Sequence, residues 1–282
     1  MRFEKWQALG NDYVIVEADE LEFDLTPERV RLISAAHTGI GSDGVLLLSG
    51  AEERGYVARL RIFNPDGSEA ELSGNGAREA VLYLRRRGWT DSDIFSIQTA
   101  AGEIRPRITS PTTCTLDMGR ARLRSKDYPD GPDDGTGTVA AAGRDFSFQH
   151  VSIGNPQCAI EVEPGELERL DLATLGPPIE ASDLFPNRTN VSFWRRDSGN
   201  EITARIFERG VGETMSSGTG ASGAAVAAVL RGLESRLTVH LDGGDLEVDV
   251  GEDLGVSLTG WAVPVYQGSL SDELLEALRA AQ

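Results

Sequence analysis

Two short glycine-containing turns are the segments of this 282-residue sequence whose residue types suggest chemistry. They read Ser73-Gly74-Asn75-Gly76 and Ser217-Gly218-Thr219-Gly220, and each precedes a run typical of a helix. A helix N-terminus has unpaired N–H groups and a partial positive charge, and small residues let a ligand approach its backbone. The turns therefore predict the binding of an anion such as a substrate carboxylate. The simpler interpretation is that the serines only cap the helices and the glycines only form tight turns.

The composition argues against several other kinds of site and partner. The two cysteines, Cys114 and Cys158, are not in a C-x-x-C pair, so neither a zinc ribbon nor a thioredoxin-type site is expected. Phosphate-loop, hydrolase-elbow and dinucleotide-binding motifs are absent from the sequence. A formal net charge of −18 argues against nucleic acid or an anionic membrane as a partner. We therefore predict a cytoplasmic protein with no metal, nucleotide or pyridoxal phosphate cofactor.

The two turns belong to an internal repeat. Residues 61–88 and 205–232 align without a gap at an offset of 144 positions, and the same offset pairs Gly10-Asn11 with Gly154-Asn155. Each repeat predicts a strand, a glycine-rich loop and then a helix, at about 75–87 and 219–231. A repeat of this length indicates two similar domains, each with a sheet wrapped around one central helix.

The predicted fold class is α+β, with two pseudo-twofold-related domains, mostly antiparallel sheets and an active site in the cleft between the domains. The first domain is predicted to cover residues 1–120 together with 263–282, and the second residues 121–262. Residues 125–144 are rich in Gly, Pro and Asp, which indicates an exposed loop or linker. A serine followed by an apolar stripe predicts a terminal helix within 268–282.

Beyond these features, the sequence resembles the diaminopimelate epimerase family, whose fold is shared with proline racemase and the phenazine-pathway isomerases. The matching motifs lie at 8–13, 39–44, 63–68, 73–78, 154–156, 190–191, 208–214, 217–220 and 258–260. The resemblance implies a cofactor-independent enzyme that converts LL- to meso-diaminopimelate, in the pathway to lysine and peptidoglycan. One base removes the α-proton and a second base returns a proton to the opposite face. It also implies a small zwitterionic substrate and a homodimer.

The resemblance further implies roles for individual residues. Ser73 and Ser217 occupy the two base positions, with Glu208 beside them as a third catalytic residue. The helix ends would bind the α-carboxylate through Gly74, Asn75, Gly218 and Thr219. Six side chains would hold the amino and carboxylate groups of the substrate: Asn11, Asn64, Asn155, Asn190, Glu208 and Arg209. Arginine suits a carboxylate because its guanidinium group can bind both oxygens.

The sequence departs from the family pattern at the bases themselves. The family has cysteine at both positions where this chain has Ser73 and Ser217, and Gln157 replaces the histidine that usually follows Gly-Asn-Pro. A thiol has a pKa of about 8.5, whereas a serine hydroxyl is a far weaker acid. A serine acts as a base only when another group accepts its proton. Neither Cys114 nor Cys158 stands at a base position.

Four interpretations follow from this departure. The protein is an epimerase that uses its serines, aided by Glu208 or Glu213; or it is an isomerase or eliminating enzyme with a carboxylate base such as Glu208 or Asp66. Alternatively, it is an inactive amino-acid-binding paralogue, or a variant in which serines were introduced for cysteines. We adopt a diaminopimelate-type epimerase as the main hypothesis because the residues expected to hold the substrate are nearly all present.

Overall fold

The computed structural model describes residues 1–281, which form two compact units. One unit comprises Met1–Leu116 and the segment from Gly260 onward, and the other comprises Asp117–Thr259. Within residues 1–281, no helix is both long and apolar enough to cross a membrane.

The described residues contain five α-helices and nineteen strands. Up to residue 120 they are β1 (Arg2–Ala8), β2 (Asn11–Glu17), α1 (Pro27–Ser34), β3 (Val45–Ser49), β4 (Tyr56–Phe63), β5 (Glu69–Ala70), α2 (Gly74–Arg86), β6 (Ser96–Thr99), β7 (Gly102–Ile104), β8 (Arg107–Ser110) and β9 (Thr113–Arg120). They continue as β10 (Thr136–Ala141), β11 (Arg144–Ser152), β12 (Pro156–Glu161), α3 (Leu172–Glu180), β13 (Asn190–Arg196), β14 (Glu201–Glu208), β15 (Gly212–Thr214), α4 (Gly218–Leu230), β16 (Leu237–Leu241), β17 (Gly244–Val250), β18 (Gly255–Trp261), β19 (Val263–Ser269) and α5 (Asp272–Ala280).

The first unit is built on one mixed sheet with the strand order β19-β1-β2-β3-β4-β6-β7. The pairs β2–β3 and β4–β6 are parallel, and the other pairs along this order are antiparallel. The helix α2 packs against β1, β2 and β3. A separate apolar cluster joins the buried side chains of β2 and β3 to Val30 and Ile33 of α1 and to Leu278 of α5. The sheet therefore holds the start of α2 in a fixed place beside β2.

The second unit has a corresponding sheet with the strand order β10-β11-β12-β13-β14-β16-β17-β18. Its parallel pairs are β12–β13 and β14–β16. The helix α4 packs against six of these strands and consists mainly of buried alanine, glycine and valine. Small residues are needed here, because a Cβ atom on Gly220 would lie 2.7 Å from Cδ1 of Ile206. An apolar helix surrounded by strands agrees with the predicted central helix.

The internal repeat is visible in the elements themselves. The helices α2 and α4 begin and end at positions that are 144 residues apart, at Gly74–Arg86 and Gly218–Leu230. An ion pair of 2.8 Å joins Arg61 to Glu69, and one of 2.7 Å joins Arg205 to Glu213 at the same offset. The two parallel strand pairs in each unit also correspond. The predictions of an α+β fold, of two sheet-rich units and of a central helix in each are confirmed.

The structure differs from the sequence predictions for the linker at 125–144 and for the terminal helix. The expected linker at 125–144 contains β10, which pairs antiparallel with β11 and buries Val139 and Ala141 on one face. Because β10 contains glycine and alanine, its alternation of apolar and polar residues is weak, and the sequence did not identify it as a strand. The predicted terminal helix is present over Asp272–Ala280 and is capped by Ser271, but it follows the strand β19. Gln282, the last residue of that predicted helix, lies outside the described residues.

Candidate active site

Ser73 is the N-cap residue of α2 in the first unit. Its backbone is extended, with φ −129° and ψ 124°, and its Oγ atom accepts a hydrogen bond of 3.1 Å from the N–H of Gly76. This contact satisfies one of the N–H groups that a helix leaves unpaired in its first turn. Ser73 therefore lies at the positive end of the α2 dipole, where a bound anion is stabilised.

Tyr13 of β2 contacts the same hydroxyl. Its Oη atom donates a hydrogen bond of 3.3 Å to Oγ of Ser73, although the two residues are 60 positions apart in the chain. The Tyr13 ring is almost fully buried. The sequence analysis assigned no role to Tyr13, and the repeat offers only an indirect signal, since the residue at the matching position of the second unit is Gln157.

Asn11 and Asn75, two of the predicted substrate-binding residues, are in contact beside this turn. Nδ2 of Asn75 donates to Oδ1 of Asn11 at 3.3 Å, and Asp43 accepts a hydrogen bond of 2.9 Å from Nδ2 of Asn11. The preceding residue, Gly10, has φ +82°, a conformation that favours glycine and that sets the direction in which Asn11 leaves the turn. Asn11 is therefore held from two sides.

Two buried ionisable residues, Arg78 and Glu79, lie near the start of α2. Arg78 donates from Nη2 to Oδ1 of Asn75 at 2.5 Å and from Nη1 to the carbonyl of Gly74 at 3.2 Å. Burial lowers the pKa of Arg78 to about 10, and burial raises the pKa of the neighbouring Glu79 well above its usual range. Among the described residues, neither carboxyl oxygen of Glu79 has a hydrogen-bond partner of normal geometry. Sequence reasoning did not foresee this pair.

Asn64 and Asp66 organise a turn of their own after β4. Nδ2 of Asn64 donates to Oγ of Ser68 at 3.0 Å, so this amide is not directed to the Ser73 hydroxyl. Asp66 accepts hydrogen bonds from the N–H and the hydroxyl of Ser68, at 2.8 and 2.6 Å, and these bonds lower its pKa. A carboxylate stabilised in this way is a weaker base than a free one, which disfavours Asp66 as the group that removes a substrate proton.

Ser217 is the N-cap residue of α4 in the second unit and repeats the geometry of Ser73. Its φ is −143° and its ψ is 120°, and its Oγ atom accepts a hydrogen bond of 3.2 Å from the N–H of Gly220. Only 4% of the residue is exposed. Gly218 and Thr219 form the first residues of α4 beside it. Both serines that the sequence analysis selected are thus at helix N-termini.

Glu208 provides a carboxylate to the Ser217 turn. Burial raises the pKa of Glu208, whereas hydrogen bonds from the hydroxyls of Thr214 and Ser217 lower it. The Thr214 bond measures 2.9 Å between Oγ1 and Oε1. The sequence analysis named Glu208 but gave no role to Thr214, although its position three residues before Ser217 was a usable signal. A serine hydroxyl with a carboxylate next to it has a proton acceptor at hand.

The remaining predicted residues of the second unit form further hydrogen bonds with their neighbours. Nδ2 of Asn155 donates to Oγ1 of Thr219 at 3.2 Å, and Gln157 donates to Oδ1 of Asn155 at 2.7 Å. Oδ1 of Asn190 accepts the backbone N–H of Arg209 at 2.8 Å. The guanidinium group of Arg209 donates a hydrogen bond to the carbonyl of Asn187. Arg209 is exposed, so its guanidinium group lies at the surface of this unit.

The two units therefore repeat the same local contacts at an offset of 144. Asn11 contacts Asn75, and Asn155 contacts Thr219 at the matching positions. The residue types differ at two of the matching positions near the turns: Tyr13 of the first unit corresponds to Gln157 of the second, and Asn64 corresponds to Glu208. The repeat thus gives two similar serine turns with different neighbouring functional groups.

The other groups considered from the sequence do not join these turns. Cys114 and Cys158 are buried, and burial raises the pKa of Cys114 to about 12 and also raises the pKa of Cys158. Glu213 is paired with Arg205, which leaves Glu208 as the carboxylate beside Ser217. Within the described residues, no group of three or more His, Cys, Asp or Glu side chains is arranged to hold a metal ion.

Comparison with known proteins gives the same family as the motifs. The sequence model described as diaminopimelate epimerase matches residues 3–124 and 149–265. The chain is 40% identical over 279 residues to diaminopimelate epimerase 2 of Nostoc sp., with 97% of each chain covered. It is 38% identical to the diaminopimelate epimerase of Chromobacterium violaceum, covering 96% of this chain and 99% of that one.

Solved structures show that the fold is shared more widely. A hydroxyproline epimerase from Agrobacterium vitis matches with a TM-score of 0.69 at 16% identity, covering 97% of this chain and 94% of that one. A phenazine biosynthesis protein of the PhzF family from Bacillus anthracis matches with a TM-score of 0.68 at 19% identity, covering 96% and 99%. These two structures show the fold alone. With the family match over most of its length and relatives near 40% identity, the chain belongs to the diaminopimelate epimerase family.

Proposed function

We propose that this protein interconverts LL- and meso-diaminopimelate by two-base proton transfer at the α-carbon. The observation that carries the proposal is the paired serine turn: Ser73 and Ser217 each cap a helix, and each turn has an asparagine of the repeat beside it. In this proposal Ser73 and Ser217 stand at the positions where the family has cysteine. Glu208 assists because a serine needs a group to accept its proton.

The helix N-termini suit the α-carboxylate of the substrate. Removal of the α-proton moves negative charge onto that carboxylate, and preorganised N–H groups stabilise charge where it develops. We assign this role to Gly74, Asn75, Gly218 and Thr219. The fixed positions of α2 and α4 against their sheets support it, because donors that need not reorient lose little energy during the reaction.

The polar side chains around the turns suit the other groups of a zwitterionic substrate. We propose that they bind the ammonium groups and the second carboxylate, and they are Asn11, Asn64, Asn155, Asn190, Glu208 and Arg209. The exposed guanidinium of Arg209 supports a role in binding a carboxylate, since its planar donors fit two oxygens at once. Contacts of Asn11 and Asn190 with neighbouring residues support the view that these amides are preorganised.

Several expectations depend on this proposed function and stay predictions. They are a place in lysine biosynthesis, a cytoplasmic location, catalysis without a cofactor and a homodimeric state. The division into epimerase-like domains at 1–120 with 263–282, and 121–262, also stays a prediction.

The test is isotope exchange at the α-carbon. The purified protein is incubated with LL- or meso-diaminopimelate in D₂O, and loss of the α-proton and formation of the other epimer are followed by NMR. We expect both processes to exceed those in a buffer control. A folded protein that gives neither process would disprove the epimerase proposal, and calorimetry with the same ligands would then show whether it only binds them.

A further inference from the structure

The turn that follows β14 carries two of the residues assigned to the substrate. The N–H of Val211 donates to the carbonyl of Glu208 at 3.1 Å, which closes a β-turn over residues 208–211. Its third residue, Gly210, has φ +77°, the left-handed conformation that a type II turn requires at this position. Type I and type II turns differ in the direction of the central peptide group, here the one that joins Arg209 to Gly210. The groups that hold this peptide therefore determine the geometry of the turn.

A buried carboxylate holds the central peptide group. Oε1 of Glu180 accepts a hydrogen bond of 2.7 Å from the N–H of Gly210, and Oε2 forms an ion pair of 2.9 Å with Arg188. Only 3% of Glu180 is exposed. A hydrogen bond from a backbone N–H to a carboxylate is stronger than one between neutral groups. Both carboxylate oxygens thus have partners, and one partner is the N–H whose direction defines the turn.

Glu180 occupies a position that is unfavourable for a glutamate. It is the last residue of α3, at the negative end of the helix dipole, and it is buried. The helix lies close to β14 at Gly176, where a Cβ atom would be 2.4 Å from Cγ of Phe207. This close approach brings the end of α3 to the turn. The hydrogen bond with Gly210 offsets part of the cost of burying the carboxylate there.

The first unit stabilises its matching turn with side chains of the turn itself. The N–H of Gly67 donates to the carbonyl of Asn64 at 2.9 Å, which closes the same turn 144 residues earlier in the chain. Asp66 accepts hydrogen bonds from both the N–H and the hydroxyl of Ser68. The first turn therefore needs no carboxylate from a neighbouring helix.

The second unit lacks these internal side chains. The residues that match Asp66 and Ser68 are Gly210 and Gly212, and both have positive φ angles. Glycine leaves a backbone flexible unless other groups fix it. Glu180 supplies a carboxylate from α3, whereas the residue that matches it in the first unit is alanine, at position 36. The two units thus stabilise equivalent turns by different means.

We propose that Glu180 is a positioning residue for substrate binding: it holds the turn at 208–211 in the conformation in which Glu208 and Arg209 receive the substrate. The inference rests on the proposed function, which assigns both residues to substrate binding. A turn that is already fixed loses little conformational freedom when a ligand binds. Asn190 assists, because its Oδ1 atom accepts the preceding N–H of the turn, that of Arg209. Glu180 is buried and acts only through the turn.

Three substitutions separate the hydrogen bond from the ion pair. Glu180→Leu removes both and keeps a side chain of similar size, whereas Glu180→Gln keeps an oxygen that can accept from Gly210. Arg188→Asn removes the ion pair alone, and asparagine tolerates the φ of +61° at this position. The measurements are the Kd of meso-diaminopimelate by calorimetry and the rate of amide hydrogen exchange at 208–212.

We expect Glu180→Leu to raise Kd about tenfold or more, because a hydrogen bond to a charged group changes an equilibrium by roughly that factor. Hydrogen exchange at Gly210 should become faster in the same variant. Glu180→Gln and Arg188→Asn should keep Kd within about threefold of the wild type, since both retain the acceptor. Both substitutions of Glu180 lose the ion pair and some stability, so stability does not explain a difference in Kd between them. Glu180→Ala, which also lacks the acceptor, repeats the test if the leucine variant does not fold.

The outcomes separate this inference from the proposed function. A wild-type protein that neither binds nor exchanges diaminopimelate disproves both. Binding without epimerisation disproves the proposed function alone, and the Kd comparison still decides the role of Glu180. Equal Kd values in Glu180→Leu and Glu180→Gln, with or without faster amide exchange, disprove the positioning role and leave an epimerising wild type unexplained by it. A Kd that rises only in the variants without the acceptor supports the inference.

Discussion

The hydroxyl of Thr214 donates a hydrogen bond of 2.9 Å to Oε1 of Glu208. Burial alone would raise the pKa of Glu208, and the Thr214 and Ser217 hydroxyls oppose this effect. Because a hydrogen bond to the charged form of a carboxyl group favours that form, Thr214 helps to keep Glu208 ionised. In the proposed mechanism only ionised Glu208 can accept the serine proton, so Thr214 links the local geometry to the pH range of activity.

Replacing Thr214 by valine should move the acidic limb of the pH–rate profile to higher pH. The substitution keeps the β-branched shape but removes the donor, so the pKa of Glu208 should rise and the carboxyl group should lose its proton only at higher pH. The measurement is kcat/KM for epimerisation as a function of pH. Thr203→Val is the control, since it removes a hydroxyl that lies on β14, the strand of Glu208, but donates to Asp197 instead. Coincident acidic limbs in wild type and Thr214→Val would show that Thr214 does not act through Glu208.

Alanine at either serine should nearly abolish epimerisation. If each serine transfers a proton, Ser73→Ala and Ser217→Ala should each lower kcat by roughly 10²–10⁴-fold. Each also loses a helix cap, which should lower the free energy of unfolding by about 1 kcal/mol. Kinetic assays and urea unfolding measure the two effects separately.

Ser271→Ala distinguishes the loss of a cap from the loss of chemistry. Ser271 caps α5 because its Oγ atom accepts a hydrogen bond of 3.3 Å from the N–H of Leu274, so its replacement should lower the free energy of unfolding by a similar amount. We expect this variant to retain wild-type kcat. An alanine variant at position 73 or 217 that also retained wild-type kcat would rule out that serine as a proton-transfer group.

The double substitution Ser73→Cys and Ser217→Cys should increase α-proton exchange. A thiol ionises near pH 8.5, and a helix N-terminus lowers its pKa further, whereas a serine hydroxyl needs an assisting group to act as a base. Exchange of diaminopimelate in D₂O measures the gain. The double alanine variant is the control for changes in packing and capping. Exchange no faster than in that control would indicate that the turns do not face a substrate carbon correctly.

Wild-type activity should resist thiol alkylation. Cys114 and Cys158 are buried and burial raises the pKa of both, so little reactive thiolate is present. We expect native protein treated with iodoacetamide to keep its epimerase activity, and the double cysteine variant to lose it. Rapid inactivation of the wild type would mean that one of its two cysteines is needed for the reaction.

Local sequence patterns were sufficient to predict both serine turns, because an N-cap serine followed by glycine and a helical run is a short-range signal. The repeat extended the prediction to the positions of α2 and α4. The Tyr13–Ser73 contact was not predictable in this way, since it depends on how β2 pairs in the sheet and joins residues 60 positions apart. Glu79 was also missed, because a carboxylate in a helix normally faces solvent.

The buried carboxyl of Glu79 should make stability depend on pH. Burial raises its pKa in the folded protein, with the nearby Arg78 opposing the shift. The sign follows from linkage: its favourable contribution is complete below the unfolded pKa of about 4.3 and is lost as pH rises through the folded value. Glu79→Gln should therefore stabilise the protein more at pH 8 than at pH 5, as measured by urea unfolding, whereas exposed Glu276→Gln should show no such trend. An equal effect of Glu79→Gln at both pH values would mean that Glu79 stays ionised in the folded state.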